Sequence, residues 1–278
     1  MKITTLIDNT TLDNELHSEH GLSVYIETSN KRILFDTGMS DKFLINAEKL
    51  GIDLSNVDIV IISHGHYDHI GGLIDFININ SKAKIYMKKE IFDNRYITIR
   101  DKTILDRGYP EELVEYKDRF TFLTDEVTRD EDIILLKNIN REYPIPKGNT
   151  ILYATNNNEI WQDEFEHELL FAIMYNNELV MFTGCAHNGV VNMISSLKRH
   201  FPENNIKVIH GGFHLVKTDF AETETNDEIQ QIAREIIRLA PGAIIYTGHC
   251  TNENVLRQLK SLIKDRIDQL YVGHNIYL

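Results

Sequence analysis

Ser63-His64-Gly65-His66-Tyr67-Asp68-His69-Ile70-Gly71-Gly72 decides how this chain is read. The stretch puts three imidazoles and a carboxylate within six positions, directly behind the apolar run Val57-Asp58-Ile59-Val60-Ile61-Ile62. A short apolar run bounded by turn-forming residues reads as a buried strand, so the polar cluster sits on a strand end. Imidazole nitrogen is a favoured donor for zinc and other borderline first-row metals, and a neighbouring carboxylate offers an anionic ligand to a second ion. His64 and His66 alternate about the loop leaving the strand and can grip one ion, while Asp68 and His69 open a helix and face another. Two ions about 3.5–4 Å apart steady both the attacking and the leaving oxygen of a displacement. The motif therefore predicts two-metal hydrolytic or transfer chemistry. A polar loop with Asp68 as a helix cap is the plainer alternative, and it gives the histidines no purpose.

The rest of the composition narrows the class. A chain of 278 residues can bury a full-sized core, and no part of it looks independent. Hydrophobic residues at 42% and charged residues at 26% are ordinary for a globular enzyme and set aside disordered, collagen-like and membrane classes. A net charge of -13 argues against a general nucleic-acid surface, while leaving room for a local basic pocket. Met1 to Asp8 reads as a strand rather than a cleavable leader, and no later run is long enough to span a bilayer. The expected setting is the cytoplasm, the expected partner is a small molecule rather than nucleic acid or membrane, and the oligomeric state is left open. The two cysteines, Cys185 and Cys250, both lie beside candidate metal ligands, so a structural disulfide is the weaker reading.

Along the chain, Leu22 to Thr28 and Arg32 to Asp36 predict a hairpin, Met39 to Leu50 a helix, Asp68 to Ile77 a helix starting inside the motif, and Ala83 to Met87 a strand. From about 88 to about 167 the pattern dissolves into polar, irregular sequence with short strand-like runs such as Ile133 to Leu136. This segment is expected to be an inserted lid within a single domain spanning 1–278. Regularity returns with a hairpin around Asn176-Asn177, then helix from Asn188 to His200, strand from Ile206 to Ile209, helix from Asn226 to Leu239, strand from Ala243 to Thr247 and helix from Asn252 to Ile263. Thr225 followed by Glu228 predicts a capping box. The second half repeats the layout of the first, which predicts an α/β fold of two similar halves, sheets face to face and helices outside.

Ser63 to Gly72, in its strand, loop and helix context, resembles the signature of the metallo-β-lactamase superfamily, and the resemblance extends over nearly the whole chain. It implies an αββα sandwich. Asp36-Thr37-Gly38 resembles the superfamily's early Asp-x-Gly loop beneath the metals, and Thr247-Gly248-His249 the late histidine of the second site. In Gly184-Cys185-Ala186-His187, Cys185 stands where many members have a metal-bridging Asp, and it is read either as a thiolate ligand or as a small packed residue. His187 is favoured as the remaining ligand over His167, which is read as a solvated strand-edge residue. The resemblance thus implies one ion on His64, His66 and His187 and another on Asp68, His69 and His249, with Asp36 orienting histidines from below. Di-iron oxygen-reducing relatives carry Glu at the position of His66 and a flavin domain, so two zinc ions come ahead of iron or manganese.

Glu19-His20-Gly21-Leu22-Ser23, Gly184 to Asn192, Gly211-Gly212-Phe213-His214-Leu215 and Thr247 to Thr251 resemble one narrower branch, the dihydropterin-ribofuranosylaminobenzene-phosphate synthases and their bacterial relatives. That branch implies a transfer joining a pterin methyl diphosphate to an arylamine with loss of diphosphate. His214 follows a strand at the metal face and can donate a proton to a leaving oxygen or hold its neighbours by hydrogen bonds. Asp68 and His214 are the catalytic candidates, and His20 with Glu19 is expected to orient ligands from below. Arg95, Arg100, Lys102 and Arg107 form a basic cluster in an acidic chain, read either as a phosphate or carboxylate clamp through Arg95 and Arg100 or as solvated surface. The sequence therefore predicts a two-metal hydrolase or dihydropterin-type transferase. A metal-bearing binding or sensing protein with little turnover is the second reading.

Overall fold

The structure, a computed structural model, describes residues 1–100, 102–217 and 220–278. The apolar run before the motif forms the strand Ile59–Ile61, fully buried and paired in parallel with Arg32–Phe35 on one side and Lys84–Met87 on the other. It lies inside a seven-stranded sheet ordered Asn275–Tyr277, Lys2–Ile7, Ser23–Glu27, Arg32–Phe35, Ile59–Ile61, Lys84–Met87, Phe120–Phe122. A second seven-stranded sheet runs Ile267–Gln269, Ile244–Thr247, Ile206–Gly211, Glu178–Thr183, Leu170–Tyr175, Ile133–Leu136, Val127–Asp130. The last strand of the chain thus completes the first sheet and ties the two halves together.

Period-two alternation places the layers. Ile33, Phe35, Ile59 and Ile61 of the first sheet meet Leu135, Phe171, Val180 and Phe182 of the second in one buried cluster. Phe35, Phe171 and Phe182 stack there with ring centroids 4.8–6.0 Å apart, and each such contact contributes about 0.5–1.5 kcal/mol beyond burial. The alternate residues face outward. Leu34 and Val60 pack on Phe43 and Phe76 of the helices Lys42–Lys49 and Leu73–Ile79. Leu179, Met181 and Ile209 pack on the helices Val190–His200, Asn226–Leu239 and Glu253–Ile263. The result is the expected helix, sheet, sheet, helix order. Thr225 and Glu228 form the reciprocal capping box at the start of Asn226–Leu239.

Two expectations change. The helix expected over Asp68 to Ile77 is split into Tyr67–Ile70 and Leu73–Ile79 at Gly71-Gly72. A Cβ on Gly71 would lie 2.4 Å from the Met39 carbonyl oxygen and one on Gly72 2.6 Å from that of Thr37, so the 37–40 loop packs straight onto this backbone. The stretch 88–167 is also not one irregular insertion. Phe120–Phe122 closes the edge of the first sheet, and Val127–Asp130 with Ile133–Leu136 belongs to the second. Outside the two large sheets, Glu159–Gln162, Leu152–Asn156, Arg95–Arg100 and Thr103–Asp106 form a four-stranded sheet in that order. Thr103–Asp106 and Glu159–Gln162 are exposed at every position, so they carry no apolar alternation by which to be read. Among the described residues no helix is long and apolar enough to cross a membrane.

Candidate metal centre

The C-terminal ends of the parallel strands in both sheets open on one edge of the sandwich, the usual place for a site in a twisted α/β sheet. Asp36 follows Arg32–Phe35, the His64 to His69 motif follows Ile59–Ile61, Cys185 and His187 follow Glu178–Thr183, His214 follows Ile206–Gly211 and His249 follows Ile244–Thr247. Asp36, Ala186, His214 and His249 have φ of 57°, 57°, 49° and 41°. Non-glycine residues rarely adopt such values, and they gather where surrounding structure fixes a side chain's direction against local strain. Gly184 permits the closest approach of the halves, since a Cβ there would lie 2.2 Å from Ser63 Oγ and 3.0 Å from His64 Nδ1.

Four of the five candidate ligand histidines have one nitrogen hydrogen-bonded from behind, and the fifth, His66, has its Nε2 buried without a hydrogen-bond partner. Asp36 Oδ2 lies 2.7 Å from His69 Nδ1 and accepts the Ser63 hydroxyl proton, also at 2.7 Å. With its only proton committed, Ser63 Oγ accepts from His64 Nδ1 at 2.8 Å. Asn9 Nδ2 donates to the His249 carbonyl, which orients the amide so that Asn9 Oδ1 accepts from His249 Nδ1 at 3.1 Å. Asn149 does the same for His187, with Nδ2 on the carbonyl and Oδ1 2.9 Å from Nδ1. His66 turns Nε2 toward Asp163 Oδ2 at 3.5 Å, and the carboxylate favours the proton on that nitrogen.

The remaining nitrogens carry lone pairs, and they converge. His69 Nε2 is 3.1 Å from His249 Nε2 and 3.2 Å from Cys185 Sγ, and His66 Nδ1 is 3.1 Å from His187 Nε2. His64 Nε2 is buried with no partner. Lone pairs held against one another repel, and a cation between them turns the repulsion into coordination. Neutral histidines whose far N–H is held by a carboxylate or carbonyl are the usual metal-binding arrangement. Among the described residues four donor sets result, namely Asp68, His69, Cys185 and His249, then His64, Cys185 and His187, then Cys185, His214 and Cys250, and lastly His66, Asp163 and His167, the ligand atoms within each set lying within 4.8 Å of one another. Cys185, 3% exposed, is common to the first three. The residues present fit soft-to-borderline divalent metal ions.

The electrostatics agree. Burial pushes His64 and His187 well below the ordinary histidine value, so both stay neutral and able to ligate. Burial would raise Asp68, but His69, His20 and His249 outweigh it and hold the carboxyl well below its usual range. Burial would lower His249, yet Cys250, Asp68 and Asp8 push it up to about 9. Without a metal, a proton takes the position that a cation suits. Burial also raises the Cys185 thiol well above its ordinary value, so a thiolate there needs a bound cation to support it.

A cavity of about 330 Å³ opens over these groups, and His20, Tyr67, Arg100, Arg107, His214 and Cys185 are among its walls. His214 has both ring nitrogens without partners, and its ring centroid is 4.2 Å from that of His187. His20 Nε2 lies 3.2 Å from Asp68 Oδ2, so His20 touches a candidate ligand. Glu19 does not. It accepts from Met39 N, Ser40 N and Ser40 Oγ and pairs with Lys42, which pins the loop after Asp36 instead. Arg95 also leaves the site, because its guanidinium is bound to Asp106 and to the Tyr109 carbonyl. Arg95 and Arg100 are five apart on one strand and so face opposite ways, and the cavity takes Arg100 together with Arg107. His167 is buried rather than solvated. Its Nδ1 accepts from Gly65 N and its Nε2 lies 3.1 Å from Asp163, which places it behind His66.

Sequence reasoning missed Asn9, Asn149, Asp163 and Glu168. Glu168 accepts from the backbone N–H groups of His187 and Asn188 and so shapes the Cys185 loop.

The metallo-beta-lactamase superfamily model matches residues 19–136. Over 98% of this chain and 95% of the relative, the sequence is 30% identical to 7,8-dihydropterin-6-methyl-4-(beta-D-ribofuranosyl)-aminobenzene-5'-phosphate synthase of Methanocaldococcus jannaschii. The chain belongs to the metallo-beta-lactamase superfamily. A solved metal-dependent hydrolase of the beta-lactamase superfamily matches it with a TM-score of 0.84 at 31% identity, covering 100% of this chain and 99% of that one. An uncharacterized protein of M. jannaschii is 29% identical over 94% of each chain. Metallo-beta-lactamase fold proteins bind metal ions, and the converging donors of this chain lie at the strand ends where its own fold gathers them.

Proposed function

We propose that this enzyme uses two divalent ions, zinc in preference to iron or manganese, to hydrolyse a small-molecule substrate or to transfer a group from it. His64, His66 and His187 hold one ion, Asp68, His69 and His249 the other, and the Cys185 thiolate is shared. The observation that carries this reading is the convergence of five imidazole lone pairs, four of the rings held from behind by hydrogen bonds. Imidazole with thiolate suits zinc best among the common divalent ions. Bound there, the ions polarise a substrate oxygen and activate water at neutral pH.

The chain's own residues do the rest. Asp36, Asn9, Asn149 and Asp163 keep the rings in one tautomer and one direction. His214, with its ring nitrogens uncommitted beside the cavity, donates a proton to the leaving oxygen at Nε2 or Nδ1. Hydrolysis adds water across the scissile bond. In transfer, an arylamine nitrogen displaces diphosphate from a pterin methyl carbon and gives up its proton; the pterin-methyl and aminobenzene parts in the name of the M. jannaschii synthase support the joining of these two groups. The free thiols Cys185 and Cys250 suit a reducing compartment, so we place the enzyme in the cytoplasm, and the charge of -13 sets nucleic acid aside as substrate.

Product analysis separates the two chemistries. Diphosphate release that requires an arylamine supports transfer, and turnover with water alone supports hydrolysis. Cys185 in place of a carboxylate favours a second reading, a metal-bearing binding protein. It would take over if the metal-loaded protein gave no metal-dependent rate on ester, lactone, thioester and phosphoester panels or with the pterin and arylamine pair.

A further inference from the structure

One wall of the cavity is rich in hydrogen-bond donors. Arg107 follows the strand Thr103–Asp106, Thr98 and Arg100 lie on Arg95–Arg100, and Tyr67 precedes Asp68 in the motif. Arg107 Nε donates to Thr98 Oγ1 at 3.2 Å and its Nη1 to the Tyr67 hydroxyl oxygen at 2.8 Å. The guanidinium lies 5.1 Å from the centre of the Tyr67 ring, and the Tyr67 N–H donates back to the Arg107 carbonyl at 2.9 Å. Both hydroxyl oxygens are engaged as acceptors, so each keeps its own proton to donate. The Arg100 Nε is buried without a partner, and the guanidinium lies 5.6 Å from the centre of the Phe220 ring.

Among the described residues no carboxylate pairs with Arg100 or Arg107, in a chain with 42 acidic against 29 basic side chains. Arg95, on the other face of the same strand, has its carboxylate in Asp106. Two guanidinium groups that line one cavity, with no carboxylate among the described residues paired to either, suit an anion that joins them.

We infer that Arg100 and Arg107, with the Tyr67 and Thr98 hydroxyls, form a subsite for a phosphate group of the substrate, apart from the metal-ligating histidines. Two cations match the charge of a phosphate monoester or of the terminal group of a diphosphate. A tetrahedral group with three terminal oxygens also uses four surrounding donors better than a planar carboxylate does. This inference rests on the reading of the cavity as the substrate site and does not depend on the metals. The same guanidinium–Tyr67 contact steadies the residue next to Asp68, so phosphate capture positions the substrate against the metal centre.

The test uses chelator-stripped full-length protein, titrated with inorganic phosphate, with diphosphate and, as the planar control, with acetate, by calorimetry and phosphorus NMR. Phosphate or diphosphate should bind without metal, at least tenfold more tightly than acetate. Arg107→Lys and Arg100→Gln should each weaken it about tenfold or more, and Arg95→Gln should leave it unchanged. Folding of each variant is checked by its melting curve, and should one of the two cavity variants fail to fold, the other decides. Equal phosphate affinity in the wild type and in the folded cavity variant or variants, or acetate binding as well as phosphate, would overturn the subsite. Loss of metal binding or turnover with phosphate binding intact would instead count against the proposed reaction and leave the subsite standing.

Discussion

His69 Nε2 faces His249 Nε2 across 3.1 Å, with Asp36 and Asn9 on the far nitrogens, so without a metal only the proton that His249 takes up stands between the rings. One ring comes from the motif of the first half and the other from a strand end of the second. A cation seated there joins the halves, so binding it adds directly to folding stability. At a free ion concentration 100 times the dissociation constant the gain is about 2.7 kcal/mol. Chelation should therefore lower the melting temperature by at least about 5 °C, restored by added zinc, as calorimetry or circular dichroism can read.

Asp36 fixes the tautomer of His69 directly and that of His64 through Ser63. Asp36→Asn keeps the volume but presents an amide N–H where an acceptor is needed. We expect metal affinity to fall about 10–100-fold, measured by competition with a chromophoric chelator, with the fold retained by circular dichroism.

Gly184→Ala would put a methyl 2.2 Å from Ser63 Oγ, on a strand end that cannot swing aside. Overpacking of this kind costs about 1–3 kcal/mol. The expected outcome is a lower urea midpoint together with a loss of bound metal, because His64 must shift with Ser63. A loss of stability with both ions retained would separate packing from ligation.

Cys185 belongs to three donor sets and Cys250 to one, in which its Sγ accepts from His214 N and lies 3.7 Å from the Cys185 carbonyl oxygen. Cobalt-substituted protein should show thiolate-to-metal charge-transfer absorption. Cys185→Ser should abolish it, and Cys250→Ser should leave most of it. Persistence of the band in Cys185→Ser would remove the shared thiolate from the account.

His210 is fully buried on the strand Ile206–Gly211 with neither ring nitrogen partnered, and burial lowers it to about 3. The unfolded chain takes up that proton below about pH 6.5 and the folded chain does not. Its contribution is therefore intact above pH 6.5 and is lost as pH falls toward 3, by about 4–5 kcal/mol over the whole window. Urea unfolding of chelated protein between pH 7 and 4 should show a shallower acid loss for His210→Leu than for the wild type. Identical slopes would contradict this assignment.

Much of the fold was legible because its strands and helices carry their own signals. Ile59 to Ile62 is an unbroken apolar run, and Asn176 and Asn177 take the positive φ values that a tight hairpin demands. The motif histidines were legible because their spacing is local. Their supports were not, since Asn9 and Asp163 reach the site from loops and Asn149 from the short 3-10 helix Lys147–Ile151, all placed by long-range contacts that leave no periodic trace. Phe120–Phe122 and Val127–Asp130 were hidden for a related reason, being edge strands too short to display alternation. Arg95 was a different kind of miss: its five-residue offset from Arg100 already put the two on opposite faces of any strand that carried both.

The central claim is that two ions sit among the converging donors and sustain turnover. The most direct measurement is metal content by mass spectrometry on protein purified without chelators, read beside activity. The account predicts close to two zinc ions per chain, a clear loss in His69→Ala and in His187→Ala, and activity that falls with them. Less than one ion per chain with activity intact would contradict it.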